Sequence, residues 1–235
     1  MAWTETNQCN KALALIGSST ISDIADTGDP TATLLNEIFD KNRDAVLEAC
    51  EFPFAIKRAD LTEIADWVTA TAYVADDLVF TADNVYTCLV GHTSGTFATD
   101  LASGYWSKTY SGPTFHYTEC YLIPSDCLKP LGINDEYADW AEEGELIVSD
   151  TSGLELKYIS QVTDASKWSV PFIEAFAAKL AAEIAFVLTS SKETMEAMQK
   201  LYGIKIEEAS SGESQVGKPP EPKQDYWENG RYTDE

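Results

Sequence analysis

Residues 169–210 constrain what this chain can fold into more than any other stretch. They read as two helices in tandem. Ser169 stands as a candidate N-cap, and Pro171 falls in the first turn, where proline's missing N–H would have had no partner anyway. Phe172, Ile173, Phe176, Leu180, Ile184 and Val187 then recur at three- and four-residue steps, the period of one helix face. Burying such side chains contributes about 2 kcal/mol each before entropy is counted. The opposite face carries Ala177, Ala178, Ala181, Ala182 and Ala185, with Glu174 among them. A helix that is apolar nearly all round is buried on two sides. Small side chains let a second backbone approach closely, so this face expects a partner helix from the same chain or from a neighbouring copy. Ala178, Ala181, Ala182 and Ala185 are therefore candidate subunit-interface residues. A bilayer is not the partner: Glu174, Lys179 and Glu183 would each cost roughly 2.5–3.5 kcal/mol at its centre. The second helix is expected over residues 191–209, with Met195, Met198, Leu201 and Tyr202 as its apolar stripe. The break at Thr189-Ser190-Ser191 makes the pair an antiparallel hairpin or a kinked rod.

Upstream, the spacing predicts a short helix over residues 4–16, with Cys9, Leu13 and Ile16 on one face and Gly17 as its stop. Asp29-Pro30 is a strong helix start, and the helix runs to about Cys50. Its stripe is Leu34, Leu35, Ile38, Phe39, Val46, Leu47 and Cys50. Asn36, Glu37, Asp40, Lys41 and Arg43 are assigned to its wet face. Phe52-Pro53-Phe54 ends it, and the chain turns extended from Ala55.

After Asp66 the composition changes. Residues 67–108 are rich in Thr, Val, Tyr, Gly and Asp, with Lys108 as their one basic residue. Short strand-like runs around Val79, Val85 and Tyr86, with a turn at Ala82-Asp83-Asn84 and a loop from Gly91 to Gly95, predict a module of about three short strands. Residues 114–123 read as a strand, 123–128 as a turn entering a short helix, and 137–143 as irregular. Glu145–Ser149 and Leu154–Ile159 read as a hairpin joined by Asp150-Thr151-Ser152-Gly153. The resulting fold class is α+β: a mainly α-helical bundle core (1–66 and 109–210), a β-hairpin region, and a small inserted all-β module (67–108). Residues 211–235, with Gly217-Lys218-Pro219-Pro220-Glu221-Pro222, read as a flexible arm that cannot bury enough surface to fold alone. That arm carries Tyr226, Trp227, Arg231 and Tyr232, residue types enriched at binding hot spots, and these are candidate docking residues.

Charge narrows the function. With 39 acidic against 16 basic residues the formal charge is −23. Phosphate binding needs clustered Lys and Arg, so sequence-specific or tight nucleic-acid binding is not expected. An acidic wall would instead let DNA pass without sticking. Five scattered cysteines with no CxxC, and two histidines, predict free buried thiols and no metal or other cofactor. No basic-then-apolar leader opens the chain, so synthesis in the cytoplasm is expected. No nucleophile elbow, P-loop, HExxH or dinucleotide fingerprint occurs, and catalysis is not expected.

Two resemblances add to this reading. The order "ALALIG", a "TGD" loop, a helix with an Arg-Asp pair, then "YLIPSDCLKPLGI", "GELIVSDTSGLELKYISQVTDASKW" and "FIEAFAAKLAAEIAFVLTSS" resembles the tail tubular protein A family of short-tailed bacteriophages. That family forms the adaptor between portal and tail nozzle. The resemblance covers about two thirds of the chain and rests on patterns, not on catalytic signatures. It implies a virion neck protein, a homo-oligomeric ring of twelve copies, partners in the portal and nozzle proteins, and a C-terminal arm that docks on the portal. The second resemblance covers the insert: Trp67, Tyr73, Asp77, Val79, Tyr86, Cys88, His92 and Trp106 are spaced as in the chitin-binding-type carbohydrate modules of families five and twelve. Asp76 stands where glycine is usual. This likeness implies a surface glycan as ligand, with Tyr73, Tyr86, His92 and Trp106 as candidate glycan-binding residues, since ring faces stack on the apolar patches of sugars. A module so small also needs rings for its own core. Trp67 and Trp106, near its two ends, suit closure better than contact. The leading expectation is a ring-forming head-to-tail adaptor; the alternative is a glycan-binding tail component.

Overall fold

The computed structural model describes residues 3–82, 84–111, 117–135 and 137–213. Helix α1 (Glu5–Leu15) is capped by the Thr4 hydroxyl, which accepts from Asn7 N, and Gly17 follows its end with φ +71°. Helix α2 (Pro30–Ala49) begins where the sequence predicts: the Asp29 carboxylate accepts from Thr31 N and Ala32 N, with Pro30 at the first helical position. Five strands and a helix follow in the insert. They are β2 (Ala72–Tyr73), β3 (Leu78–Thr81), β4 (Asn84–Cys88), β5 (His92–Thr93), α3 (Phe97–Ala102) and β6 (Trp106–Ser111), all after β1 (Ile56–Asp60). Then come β7 (Glu119–Leu122), β8 (Cys127–Ile133), β9 (Trp140–Glu143), β10 (Leu146–Ser149), β11 (Glu155–Ser160), α4 (Val170–Thr189) and α5 (Lys192–Glu213).

The expected helical bundle core is not what forms. Among the described residues the fold is α+β, 41% helix and 25% strand, with five α-helices and several small antiparallel sheets. The largest core draws on α1, α2 and α4, but Ile159, Val162, Trp168, Phe52 and Ala55 from the strand and loop segments complete it. Its aromatic centre is Phe39 against Phe176 at 5.1 Å and Phe52 against Phe172 at 5.2 Å between ring centroids. Three further cores are built on the sheets. The physical reason is in the strands between Glu119 and Ser160, which are short, carry most of the burial there and give little periodic signal.

Three local expectations fail in the same region. The hairpin over 145–159 does not exist: β10 is the middle of a sheet ordered β7-β10-β9, and β11 is the middle of another ordered β1-β11-β8. All four residues of β10 are buried, so both its edges and both its faces need partners that a two-stranded hairpin would not supply. Gly153, at φ +71°, turns the chain from one sheet into the other. The short helix after residue 123 is instead a turn, closed by Cys127 N donating to Pro124 O, followed by strand β8. Pro130 explains this: it would break a helix interior, and it is tolerated in an edge strand beside a bulge. The acidic stretch read as irregular contains β9.

Helix α4 matches its predicted bounds, and α5 runs four residues further than expected, to Glu213. Ser190, in the left-handed region at φ 53°, reverses the chain, and α5 packs back along α4 as an antiparallel hairpin. Ser169 occupies the N-cap position of α4, yet its Oγ is buried without a hydrogen-bond partner.

The insert leaves and rejoins the body at adjacent points. Ile64 N donates to Cys120 O at 2.9 Å, and Glu63 bridges Tyr121. Its strands β3, β4 and β6 form one sheet, and β2 and β5 pair separately. The module overruns the expected boundary at both ends: Phe80 N bonds Ala65 O, and β6 continues to Ser111. It also shares a core with the body, because Val85, Leu78, Phe80 and Tyr110 pack with Ile64, Cys120, Leu146 and Val148.

Candidate functional site

The candidate glycan residues come together in the insert, but they face inward. Trp106 is 3% exposed and Tyr86 8%. The Trp106 ring meets Tyr73 at 5.0 Å, His92 at 5.6 Å and Phe97 at 6.2 Å. Phe97 also takes Tyr86 at 4.8 Å and Trp67 at 5.7 Å. These are edge-to-face and tilted packings of a small core closed by rings. Tyr73 is half-buried, and its hydroxyl holds the neighbouring loop by accepting from Val68 N at 2.8 Å. Asp76, in the glycine position, adopts φ 73°, the left-handed conformation a glycine would supply without strain.

His92 is built into this core. Its Nδ1 lies 2.9 Å from Val90 O, and because a carbonyl only accepts, Nδ1 carries a proton. Its Nε2 faces Asp100 Oδ2 at 3.6 Å, and that buried carboxylate also accepts from Gly95 N at 2.9 Å. Burial pushes the Cys88 thiol up, outweighing a backbone hydrogen bond at Val90 that favours the thiolate. The large hydrophobic residues that the module exposes are aliphatic, Val68, Val74, Leu89, Val90 and Leu101. Aliphatic side chains offer a sugar no flat face to stack upon.

The four candidate interface alanines lie inside one chain. Ala178, Ala181, Ala182 and Ala185 are all buried, and the helix that covers this side of α4 is α5. A groove lined by Lys179, Ala182, Glu183, Met195, Gln199 and Tyr202 runs between the two helices. An interface built on these alanines would require α5 to move. The large apolar side chains that α4 shows to solvent are Val170 at its start, 70% exposed, and the consecutive Phe186 and Val187 near its end, 52% and 62% exposed; Val187 therefore does not join the buried stripe expected of it. Tyr226, Trp227, Arg231 and Tyr232 lie outside the described residues.

Arg43 was expected on the wet face of α2 and is instead 2% exposed. Its guanidinium forks onto Asp40 at 2.7 Å and Asp44 at 2.8 Å, and Asp44 takes Gln161 Nε2 at 2.8 Å. Long side chains bury their stems while reaching a charge at the rim, and helix periodicity alone does not report this.

Two polar clusters were not legible in the sequence, because only strand register assembles them. In the first, Asp126 accepts from Lys57 Nζ and from the Tyr158 hydroxyl at 3.0 Å. Burial pushes Asp126 up, but these two donors outweigh it and hold the carboxyl below the usual range. Burial and the bond to Asp126 push Tyr158 up to about 12. In the second, Arg58 of β1 lies directly opposite Lys157 of β11, which lies opposite Gly132 of β8. A groove of about 330 Å³ opens there, between the two cations and Asn134. On the neighbouring sheet, burial pushes Glu119 up, helped by a hydrogen bond to Glu63 and by the charges of Glu63 and Asp66.

Among the described residues no group of three or more His, Cys, Asp or Glu is placed to hold a metal ion, and no helix is long and apolar enough to cross a membrane. Fold and clusters together define an acidic α+β protein with a small aromatic-cored β module set into its body. No protein-family model matches the chain, and no curated protein matches it.

Proposed function

We propose that the chain is a structural virion protein of the bacteriophage neck: a ring-forming adaptor that joins the portal to the tail nozzle and lines the path of the DNA. The observation that carries the reading is Phe186-Val187, two adjacent exposed apolar residues near the end of a helix whose middle is mostly buried. Contiguous exposed apolar surface is a mark of protein contact. The charge of −23 supports a channel wall that repels phosphate. The order of segments resembling the tail tubular family supports the ring, with twelve copies as the expected number. In this reading the arm after Glu213 fastens the ring to the portal, the insert is decoration on the body, and the protein carries out no catalytic step.

Glycan binding by the module has less support. Its rings close its own core, and the large hydrophobic residues left exposed are aliphatic.

Native mass measurement of the full chain, alone and with purified portal, tests the adaptor reading. A closed ring, or a ring captured on the portal, is the expected result. A chain that stays monomeric and ignores the portal would overturn it.

A further inference from the structure

We infer that His92 and Asp100 form a proton-operated latch in the core of the insert: His92 is held there as the imidazolium, and loss of its proton frees α3 from β5. The inference is independent of the adaptor reading.

Both ring nitrogens of His92 face groups that accept. Nδ1 lies 2.9 Å from Val90 O, and Nε2 lies 3.6 Å from Asp100 Oδ2. A neutral imidazole carries one N–H and one bare lone pair. With the N–H committed to Val90 O, the bare lone pair would point at a carboxylate, in a core where both side chains are nine-tenths covered. Nε2 is buried, and no hydrogen-bond donor reaches it among the described residues. A second proton, on Nε2, turns this repulsion into an ion pair. Asp100 is suited to be the anion of that pair: its Oδ2 also accepts from Gly95 N at 2.9 Å, a bond that favours the ionised carboxyl.

The surroundings favour a cation at this place. The titratable groups packed on the ring are Asp100, Cys88, whose Sγ is 3.9 Å from Nδ1, and Tyr73 and Tyr105, whose ring centroids lie at 6.4 Å and 4.5 Å. None of them carries a positive charge. Asp76 and Asp77 lie close enough to act on Cys88, so the charged groups on this side of the ring are acidic as well. The Tyr105 ring stands over the imidazole at a tilt of 36°, and an aromatic face attracts a cation.

The pair joins segments that the strand ladder does not. His92 lies on β5, whose ladder partner is Tyr73 of β2. Asp100 lies on α3 and, through Gly95 N, fixes the turn between the two. Removing the proton leaves a buried carboxylate beside a lone pair, and an unpaired buried charge is costly. A helix of six residues depends on its tertiary contacts, so α3 is the piece that such a charge loosens. The folded pair keeps a proton that an unfolded histidine releases above about pH 6.5. A state that binds more protons loses stability as pH rises. The insert is therefore firm in mild acid and loosens in alkali.

Imidazole NMR and hydrogen exchange on the full chain test this, in a His116→Gln background so that His92 is the one histidine observed. At about pH 7.5 both ring nitrogens should show the imidazolium pattern, in which each carries a proton. Protection factors of amides between His92 and Ala102 should then fall with rising pH, by up to about tenfold per pH unit, while those of α4 hold. In Asp100→Asn the side-chain amide can donate to Nε2, so the ring should revert to the neutral Nδ1–H form at the same pH, and the pH response of the insert should flatten. A neutral ring at about pH 7.5 with Asp100 in place would overturn the inference, and that measurement does not depend on how the Asp100 variant folds. An imidazolium that persists in Asp100→Asn would also overturn it, since Asp100 would not be what holds the proton. So would protection in the insert that stays constant relative to α4 up to about pH 9.

Discussion

Arg43 shows how a charged side chain can be structural at one end and wet at the other. Its guanidinium is buried, Asp44 is mostly covered and Asp40 is largely exposed. Asp44→Asn should therefore cost more than Asp40→Asn, about 1–2 kcal/mol against under about 1, because it weakens the better-shielded partner of a buried cation. Chemical denaturation of the two variants reads the difference; equal losses would place Arg43 in effective contact with water. Two carboxylates should tune the acid response in opposite senses. Asp126 is held below its unfolded value by Lys57 and Tyr158, which outweigh the effect of burial. Its contribution is present above about pH 4 and is lost as pH falls through the depressed folded value. Glu119 is raised by burial and by Glu63, so it favours the fold below its unfolded value and loses that contribution as pH rises through the folded one. Stability measured between pH 3 and 7 should then show Asp126→Asn weaker than wild type at neutrality, with the deficit shrinking in acid. Glu119→Gln should be more stable than wild type at neutrality, with the gain disappearing in acid. A pH-independent offset in both would remove the electrostatic account.

Helices were the legible elements of this fold. Asp29-Pro30 and the run from Phe172 to Ile184 carry their signals locally, in caps and in a repeat of 3.6, and the structure places both within a residue of expectation. Strands β7 to β11 are short, and their partners lie as far apart in the chain as Ile56 and Ile159. A four-residue turn at 150–153 could announce a reversal, but not that the chain would change sheets there. The candidate site was legible as a set of rings and not as a surface, since aromatic spacing does not say which way a ring points. Trp106→Ala tests the core role now assigned to these rings. It should cost about 3–5 kcal/mol and expose amides of the insert to hydrogen exchange before those of α4. Unchanged protection with loss of an added glycan ligand would return Trp106 to the surface. Ala181→Leu is expected to behave as a core change. Ala181 is fully buried within one chain, and three added carbons between packed helices should cost about 1–3 kcal/mol in the monomer. A variant that melts as wild type does while failing to assemble would show that α5 leaves this face during assembly.

At the scale of the whole molecule, charge and covering work against each other. A chain at −23 repels its own copies, so any ring must rest on local contacts that overcome the net field. In the adaptor reading Phe186-Val187 is such a place, and it lies outside the buried core. Among the described residues the last buried core residue is Ala209, four positions before α5 ends at Glu213. Removing residues 214–235 should therefore leave the thermal midpoint within about 2 °C of wild type, since no described core contact is lost. The same truncation should abolish capture by the portal, because it removes Tyr226, Trp227, Arg231 and Tyr232 together, the aromatic and arginine anchors that the adaptor reading assigns to docking. Melting and portal pull-down on one truncated preparation separate the two effects. Retained capture would move the docking surface onto the body, with Phe186 and Val187 as the first residues to replace. A lowered midpoint would instead mean that the C-terminal segment packs on the body and contributes to its stability, and the assignment of that segment as a free arm would fall with it.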